Sequence, residues 1–323
     1  MSSKLKSLGV LAWVGQNSAL AALIVLFLIG GFFVPNFFSK QNFSAIMYQY
    51  AIIGFLALGQ LLVILTAGID LAQGSLVAFT SIIVSLSMSR FGIIPAVLAG
   101  VVSTTILGLF SGVLVSRTKI PAFVVTLGMT GVARGLALVF SNAKPISIEN
   151  EAFVAFGRMN VAGIPVSAIL LILCSLGLAY FLRYRRLGRY IFSVGGSEES
   201  ARLSGINVKK VKLFVFAASA FLTSIGGVIW TARLNSGSPI GAANYEMESI
   251  AAVIVGGGNL FGGVGSVSGT LIGILLFGSI NSILNLVGIS PYWQGTIKGV
   301  LILLAVALSQ IRRLRSMKVE VTA

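Results

Sequence analysis

Apolar runs recur along this chain from residue 18 to residue 311, each bounded by charges, proline or glycine. Ten stand out, at 18–34, 45–67, 73–89, 93–115, 121–140, 164–182, 212–232, 247–258, 265–287 and 292–311. A helix needs about 20 residues to cross a ~30 Å hydrocarbon core. Ten such helices use about 200 of the 323 residues and leave only short connections. The runs are long enough for helices rather than barrel strands. Charged residues make up only 10% of the chain, against roughly 25% in soluble domains, too few to cover a water-facing surface. The expectation is an all-α polytopic membrane protein, one transmembrane domain over 1–323, with a short or broken span near 245–258.

Proline and the basic residues refine the topology. Pro95, Pro121, Pro165 and Pro291 stand at the starts of spans, where a missing N–H costs nothing. Pro35, Pro145 and Pro239 fall in loops. With the N-terminus inside, sixteen of the 23 Lys and Arg residues lie in inside segments and five in outside ones. That bias puts both termini in the cytoplasm and requires an even number of spans. It also accounts for the net charge of +15 without nucleic acid. Lys4 and Lys6 before apolar sequence look signal-like, but no small-x-small cleavage site follows, so the first span reads as retained.

Composition excludes several chemistries. There is no His, and the single Cys, Cys174, sits in an apolar run. The eight acidic residues are scattered, so neither a metal cluster nor acid–base machinery is expected, and no cofactor. There is no G-x-x-x-x-G-K-[ST] loop, so any use of ATP needs a partner.

Helices in lipid pack closely only through small residues. Ala96, Gly100, Thr104, Gly108 and Gly112 recur every four residues, and so do Gly265, Gly269 and Gly273, which predicts two close helix contacts. Two other glycine-rich stretches, 68–75 and 256–266, read as turns or as hinges lining a gate at the cytoplasmic end. Between residues 244 and 258 only Ser249 to Val255 is smoothly apolar, too short to cross, and short broken helices at depth line pathways. Glu246, Glu248 and Arg134 need protein or water around them there.

The long inside loop, 183–212, carries the pattern of one short helix. Ser197 can cap it, Glu198 and Glu199 suit its positive end, Arg202 lies four residues beyond Glu198, and Gly205 suits a left-handed stop. Two turns are marginal alone in water, so the helix needs something to dock against.

The G-I-D-L-A-Q-G-S segment at 68–75 resembles a signature of the ribose-type sugar permeases of bacterial ABC importers. So do I-P-A-F-V-V-T-L-G-M at 120–129, L-G-R-Y at 187–190, Gly195-Gly196, R-L-S-G-I-N-V at 202–208, and the C-terminal block from Tyr245 to Thr270. The resemblance runs in order from about residue 35 to 310. Ala72-Gln73 stands where Ser-Val is usual, Glu198-Glu199-Ser200 where Glu-Ala-Ala is usual, and Glu248 where Asp is common.

The resemblance implies a multi-pass permease subunit of the bacterial inner membrane, not itself an enzyme, for a monosaccharide or related polyol. A second permease subunit would complete the pathway. Two cytoplasmic ATPase domains would dock on the short helix, making Glu198, Glu199, Ala201, Arg202 and Gly205 the coupling candidates. An extracytoplasmic sugar-binding protein would deliver substrate. Asp70, Gln73, Ser75 and Asn259 are gate candidates; Glu246 and Glu248 are outer-pathway or receptor-contact candidates. Thr126, Asn281, Asn285 and Gln294 could contact sugar hydroxyls. Two alternatives remain: a branched-chain amino-acid ABC permease, and an ion-coupled secondary transporter using Asp70, Glu246 and Glu248.

Overall fold

The structure, a computed structural model, describes residues 18–290, 292–300, 303 and 307. In chain order its helices are α1 (Ser18–Phe33), α2 (Lys40–Leu65), α3 (Gln73–Phe91), α4 (Ile93–Arg117), α5 (Ala122–Ser141), α6 (Glu151–Arg158), α7 (Val166–Tyr184), α8 (Arg186–Gly196), α9 (Glu198–Leu203), α10 (Val208–Leu234), α11 (Tyr245–Val255) and α12 (Val267–Leu286). A further helical stretch covers 292–300. Among the described residues seven helices are long and apolar enough to cross a membrane: α2, α3, α4, α5, α7, α10 and α12.

The ten-span expectation is therefore met in part. The first expected span forms the 16-residue α1. The eighth is the 11-residue α11, about 16 Å long and half the thickness of a hydrocarbon core. The tenth, with Pro291, falls partly outside the described residues.

Caps set the helix boundaries. Ser39 accepts from the Asn42 amide at the start of α2, Asn207 from Lys210 at α10 and Ser266 from Gly269 at α12. Pro121 and Pro165 immediately precede α5 and α7. Asn142 and Asn235 close α5 and α10 in the left-handed conformation that asparagine tolerates.

α2 is the axis of the bundle. In its most apolar stretch 89% of residues are buried, against 22% in α4. α10, α11, α12 and α7 surround it. The small-residue stripes do the expected packing. Gly100 lies against Thr80 and Val84 of α3, and Gly108 and Gly112 against α10 at Phe216, Ala220 and Leu213. Gly269 and Gly273 bring α12 onto the Gly256 and Ala252 carbonyls at the end of α11.

The basic connections gather at one end. Thr118, Lys119, Glu198 and Lys212 line one cavity there with residues 66–69. At the opposite end α6 packs on α10 and α7. Two short antiparallel pairs form there, β1 (Ile146–Ser147) with β4 (Ser236–Gly237) and β2 (Asn160–Val161) with β3 (Ile164–Pro165).

Candidate functional site

The segment between α2 and α3 does not turn at the bundle end. It climbs back inside. The Gln60 side chain, its amide oriented to satisfy both groups, donates to the Asp70 carbonyl at 3.1 Å and accepts from the Asp70 N–H at 3.2 Å. Gln73 Nε2 donates to the Leu56 carbonyl at 2.9 Å. Leu56 lies nine residues, about 13 Å, before the end of α2, so α3 starts near mid-depth. The expected position of 68–75 at the cytoplasmic end is corrected accordingly. A sequence gap between two spans reads as a turn unless the partners of its polar groups are known.

Polar side chains hold this re-entrant segment. Asp70 Oδ1 accepts from the Ala72 N–H at 3.0 Å, and Oδ2 from the Ser219 hydroxyl of α10 at 2.9 Å. Gln73 Nε2 also donates to Ser219 at 3.3 Å, and its Oε1 accepts from Ser249 of α11 at 2.7 Å. Thr126 and Thr130 of α5 donate to the carbonyls of Ile69 and Leu71. Gln60, Asp70, Gln73, Ser75, Ser219 and Ser249 are all buried. With no water to satisfy backbone groups at this depth, these side chains substitute for the missing helix partners. Gln60, Ser219 and Ser249 were missed in the sequence; their only signal is a polar residue inside an apolar run.

A second segment, 235–244, enters from the opposite end. Ser238 accepts its fold from α3: its N–H donates to Ser81 Oγ at 3.1 Å. Arg134 of α5 holds it lower down, with Nη1 donating to the carbonyls of Pro239 at 2.7 Å and Gly241 at 3.0 Å. The two segments meet at Gly74, where a Cβ would strike Glu246 Oε2 and the Ala242 carbonyl. The Glu246 carboxylate lies against Gly74, at the start of α3, and it faces Arg134. An arginine side chain facing lipid near the middle of a span costs ~2.5–3.5 kcal/mol, which two carbonyls and a facing carboxylate offset.

Glu248 belongs to a different cluster. Its Oε1 pairs with Lys298 Nζ at 2.7 Å, the two side chains 11% and 19% exposed. The Tyr50 hydroxyl faces both Glu248 and Asn281. Of the expected hydroxyl-contact residues, Asn281 is buried here, Asn285 accepts from Gln294 at 2.8 Å, and Thr126 is committed to Ile69.

The loop 183–212 is more ordered than its sequence pattern suggests. It holds α8, whose Gly188, Ile191, Val194 and Gly195 are buried, as well as the expected short helix, α9. Ser197 Oγ accepts from the Ser200 N–H at 3.2 Å, and Gly205 has φ +80°. The expected Glu198–Arg202 pairing is replaced: Glu198 reaches Lys212 of α10 at 2.6 Å, while Arg202 stands 4.0 Å from Glu199. Lys212 offers Glu198 a less exposed partner, which the one-dimensional spacing hides. Ala201 is buried; Glu199 and Arg202 are exposed.

α8 touches the last residue of α2, where the re-entrant segment begins, backbone to backbone. A Cβ at Gly195 would overlap the Leu65 carbonyl oxygen and crowd Gly263 N. Gly262, at φ +89°, lies against the Gly195 carbonyl and Ala67, and the Gly263 N–H donates to Leu65 O at 3.1 Å. Asn259 shapes this second glycine-rich loop by accepting from the Phe261 N–H at 3.1 Å. Thus the structure brings Asn259 and the α9 residues to one end, Asp70, Gln73, Ser75 and Glu246 to the interior, and sets Glu248 apart. Among the described residues no three His, Cys, Asp or Glu side chains gather as metal ligands.

Residues 42–306 match the family described as branched-chain amino acid transport system / permease component. The chain is 40% identical over 300 residues to the ribose import permease protein of Escherichia coli K12, covering 91% of this chain and 94% of that one. It is 42% identical over 299 residues to the ribose import permease protein of Haemophilus influenzae, covering 90% and 92%. It is 32% identical over 302 residues to the L-arabinose transport system permease protein of E. coli K12, covering 92% and 91%. No solved structure matches.

Proposed function

The chain belongs to the branched-chain amino acid transport system / permease component family, and we propose that it is the membrane permease subunit of an ATP-driven sugar importer. Relatives named for ribose and L-arabinose at 32–42% identity favour a sugar over a branched-chain amino acid. The chain is not an enzyme; ATP is hydrolysed on separate subunits. Seven apolar crossing helices make it a multi-pass membrane protein, and its expected home is the bacterial inner membrane with both termini in the cytoplasm.

One observation carries the mechanical part of this reading: α8, next to the exposed helix α9, rests through Gly195 on the Leu65 carbonyl where the re-entrant segment begins. In this reading two ATPase domains dock on α9 through Glu199 and Arg202, while Glu198, Ala201 and Gly205 fix its pose. Their closing and opening moves α8, and α8 moves residues 66–72 and the loop at Asn259. Asp70, Gln73 and Ser75 are then the rigid body of the gate, and Glu246 lies on its pathway side. Glu248 braces α11 through Lys298. A second permease subunit completes the pathway, and an extracytoplasmic binding protein delivers the sugar.

The test is uptake of labelled pentoses, hexoses, polyols and leucine into proteoliposomes holding this chain with its ATPase and binding protein. ATP-dependent sugar uptake requiring both partners is expected. Uptake by this chain alone on a proton or sodium gradient overturns the reading.

A further inference from the structure

Arg134 spends only part of its hydrogen-bonding capacity. Nη1 takes the Pro239 and Gly241 carbonyls, and among the described residues Nε and Nη2 have no hydrogen-bond partner. Glu246 faces the guanidinium but forms no ion pair with it. The Gly241 carbonyl that Arg134 holds precedes Ala242, whose carbonyl lies with Glu246 Oε2 against Gly74, so the two charges flank one short segment without pairing.

The surroundings of Arg134 are open. In a helix a long side chain lies over the preceding turn, here Thr130 and Gly131. A Cβ built on Gly131 meets nothing within 4 Å, and the same holds at Gly128 and Gly135. Leu127, three residues before Thr130, is exposed on the same side. A charged face with free donors is unsuited to lipid, so it fronts water or solute.

We propose that Arg134 and Glu246 form a transit site for a vicinal diol of the sugar, Arg134 Nε and Nη2 donating to two hydroxyl oxygens and the Glu246 carboxylate accepting from a hydroxyl. A planar fork of donors matches two adjacent oxygens, as a lysine does not. A neutral polyol bridges the two charges without displacing either, and the open side at Gly131 admits its ring. The site rests on the importer reading above and names where in the interior the substrate is held.

Arg134→Lys separates this role from a structural one. Lysine keeps the charge and a donor for the Pro239 and Gly241 carbonyls but loses the fork. The assembled importer in proteoliposomes is the system, labelled ribose the probe, with subunit assembly followed by gel filtration. Ribose uptake per ATP hydrolysed should fall about tenfold or more in Arg134→Lys, the loss of one charge-assisted contact. A Cβ at Gly131 has no neighbour within 4 Å, so Gly131→Leu should assemble and lower uptake as well. Wild-type uptake in an assembled Arg134→Lys or Gly131→Leu importer overturns the site. Loss of assembly in Gly131→Leu also overturns it, by making that face a protein contact. Transport of leucine in place of any sugar by the wild type, or no ATP-dependent uptake of any pentose, hexose or polyol tried, sinks the importer reading itself and is seen before any variant is made.

Discussion

Replacing Lys298 tests whether the helical stretch 292–300 is anchored to the core by a buried ion pair. Lys298 Nζ lies 2.7 Å from Glu248 Oε1, with side chains 19% and 11% exposed, and Glu248 Oε2 is buried without a hydrogen-bond partner. Removing one member of such a pair strands the other. The usual loss is about 3–5 kcal/mol, and removing both together is often nearly neutral. Lys298→Met should sit at the low end, about 3 kcal/mol, because the Tyr50 hydroxyl faces the stranded carboxylate. Glu248→Gln should cost about 1–3 kcal/mol, since the more exposed lysine can find water. The double variant should cost about 1 kcal/mol, so the two singles together exceed it by about 3–5 kcal/mol. Reversible unfolding in mixed lipid–detergent micelles, followed by circular dichroism, measures all four corners of the cycle. A coupling below about 1 kcal/mol, the value of a solvent-exposed pair, would refute the reasoning and mean that water reaches both groups.

Gln73→Leu removes three side-chain hydrogen bonds but orphans no hydroxyl, because Ser219 keeps Asp70 and Ser249 keeps the Glu246 carbonyl. At about 0.6 kcal/mol per bond within a membrane bundle, the loss should be about 2 kcal/mol in the same unfolding assay. Gly195→Ala pushes a methyl onto the Leu65 carbonyl, where neither backbone can yield cheaply. A loss of about 1–3 kcal/mol is expected, together with less sugar moved per ATP in proteoliposomes; an unchanged ratio would disconnect α8 from the gate. Gly205→Val meets no neighbour, so its cost is conformational alone, about 1–2 kcal/mol at φ +80°. Membrane insertion should be intact and transport uncoupled, read as ATPase activity without uptake.

The sequence carried the crossing helices well because length and apolarity are local properties. α2, α4, α5, α7 and α10 all overlap the expected runs. The shortness of α11 was legible for the same reason, since Glu246 and Glu248 interrupt its apolar run. The spacing of Gly100, Gly108 and Gly112 was legible because a four-residue period puts them on one face. What escaped was everything decided by a distant partner. Asp70 lies inside the bundle because Gln60 and Ser219 receive it. Glu198 chooses Lys212, fourteen residues away, over Arg202. α6 did carry local signals, an Asn150 cap and an amphipathic pattern, whereas the β1–β4 pair joins two segments distant in the chain.

The interior polar contacts form one connected series. From α9, Ser197 leads to α8, and Gly195 of α8 abuts Leu65 and the 256–266 loop. Residues 66–72 follow, held by Gln60, Ser219, Thr126 and Thr130. Gln73 and Gly74 then meet Ser249 and Glu246, and Glu246 faces Arg134. Adjacency alone transmits nothing; a series couples two ends only if one member has two arrangements. The best placed member is the 66–72 segment. Beyond the Thr66, Ala67 and Gly68 amides, which close α2 on the Val63 and Ile64 carbonyls, it is held by side chains, and it starts beside the Gly195 contact. It leads through Gln73 into Gly74, which admits Glu246 only because it has no side chain. On the proposed reading a displacement of α8 would reach Glu246 by moving one short segment against helices that stay packed. A bulkier residue at Gly74 should break the series there even with α9 and α8 intact.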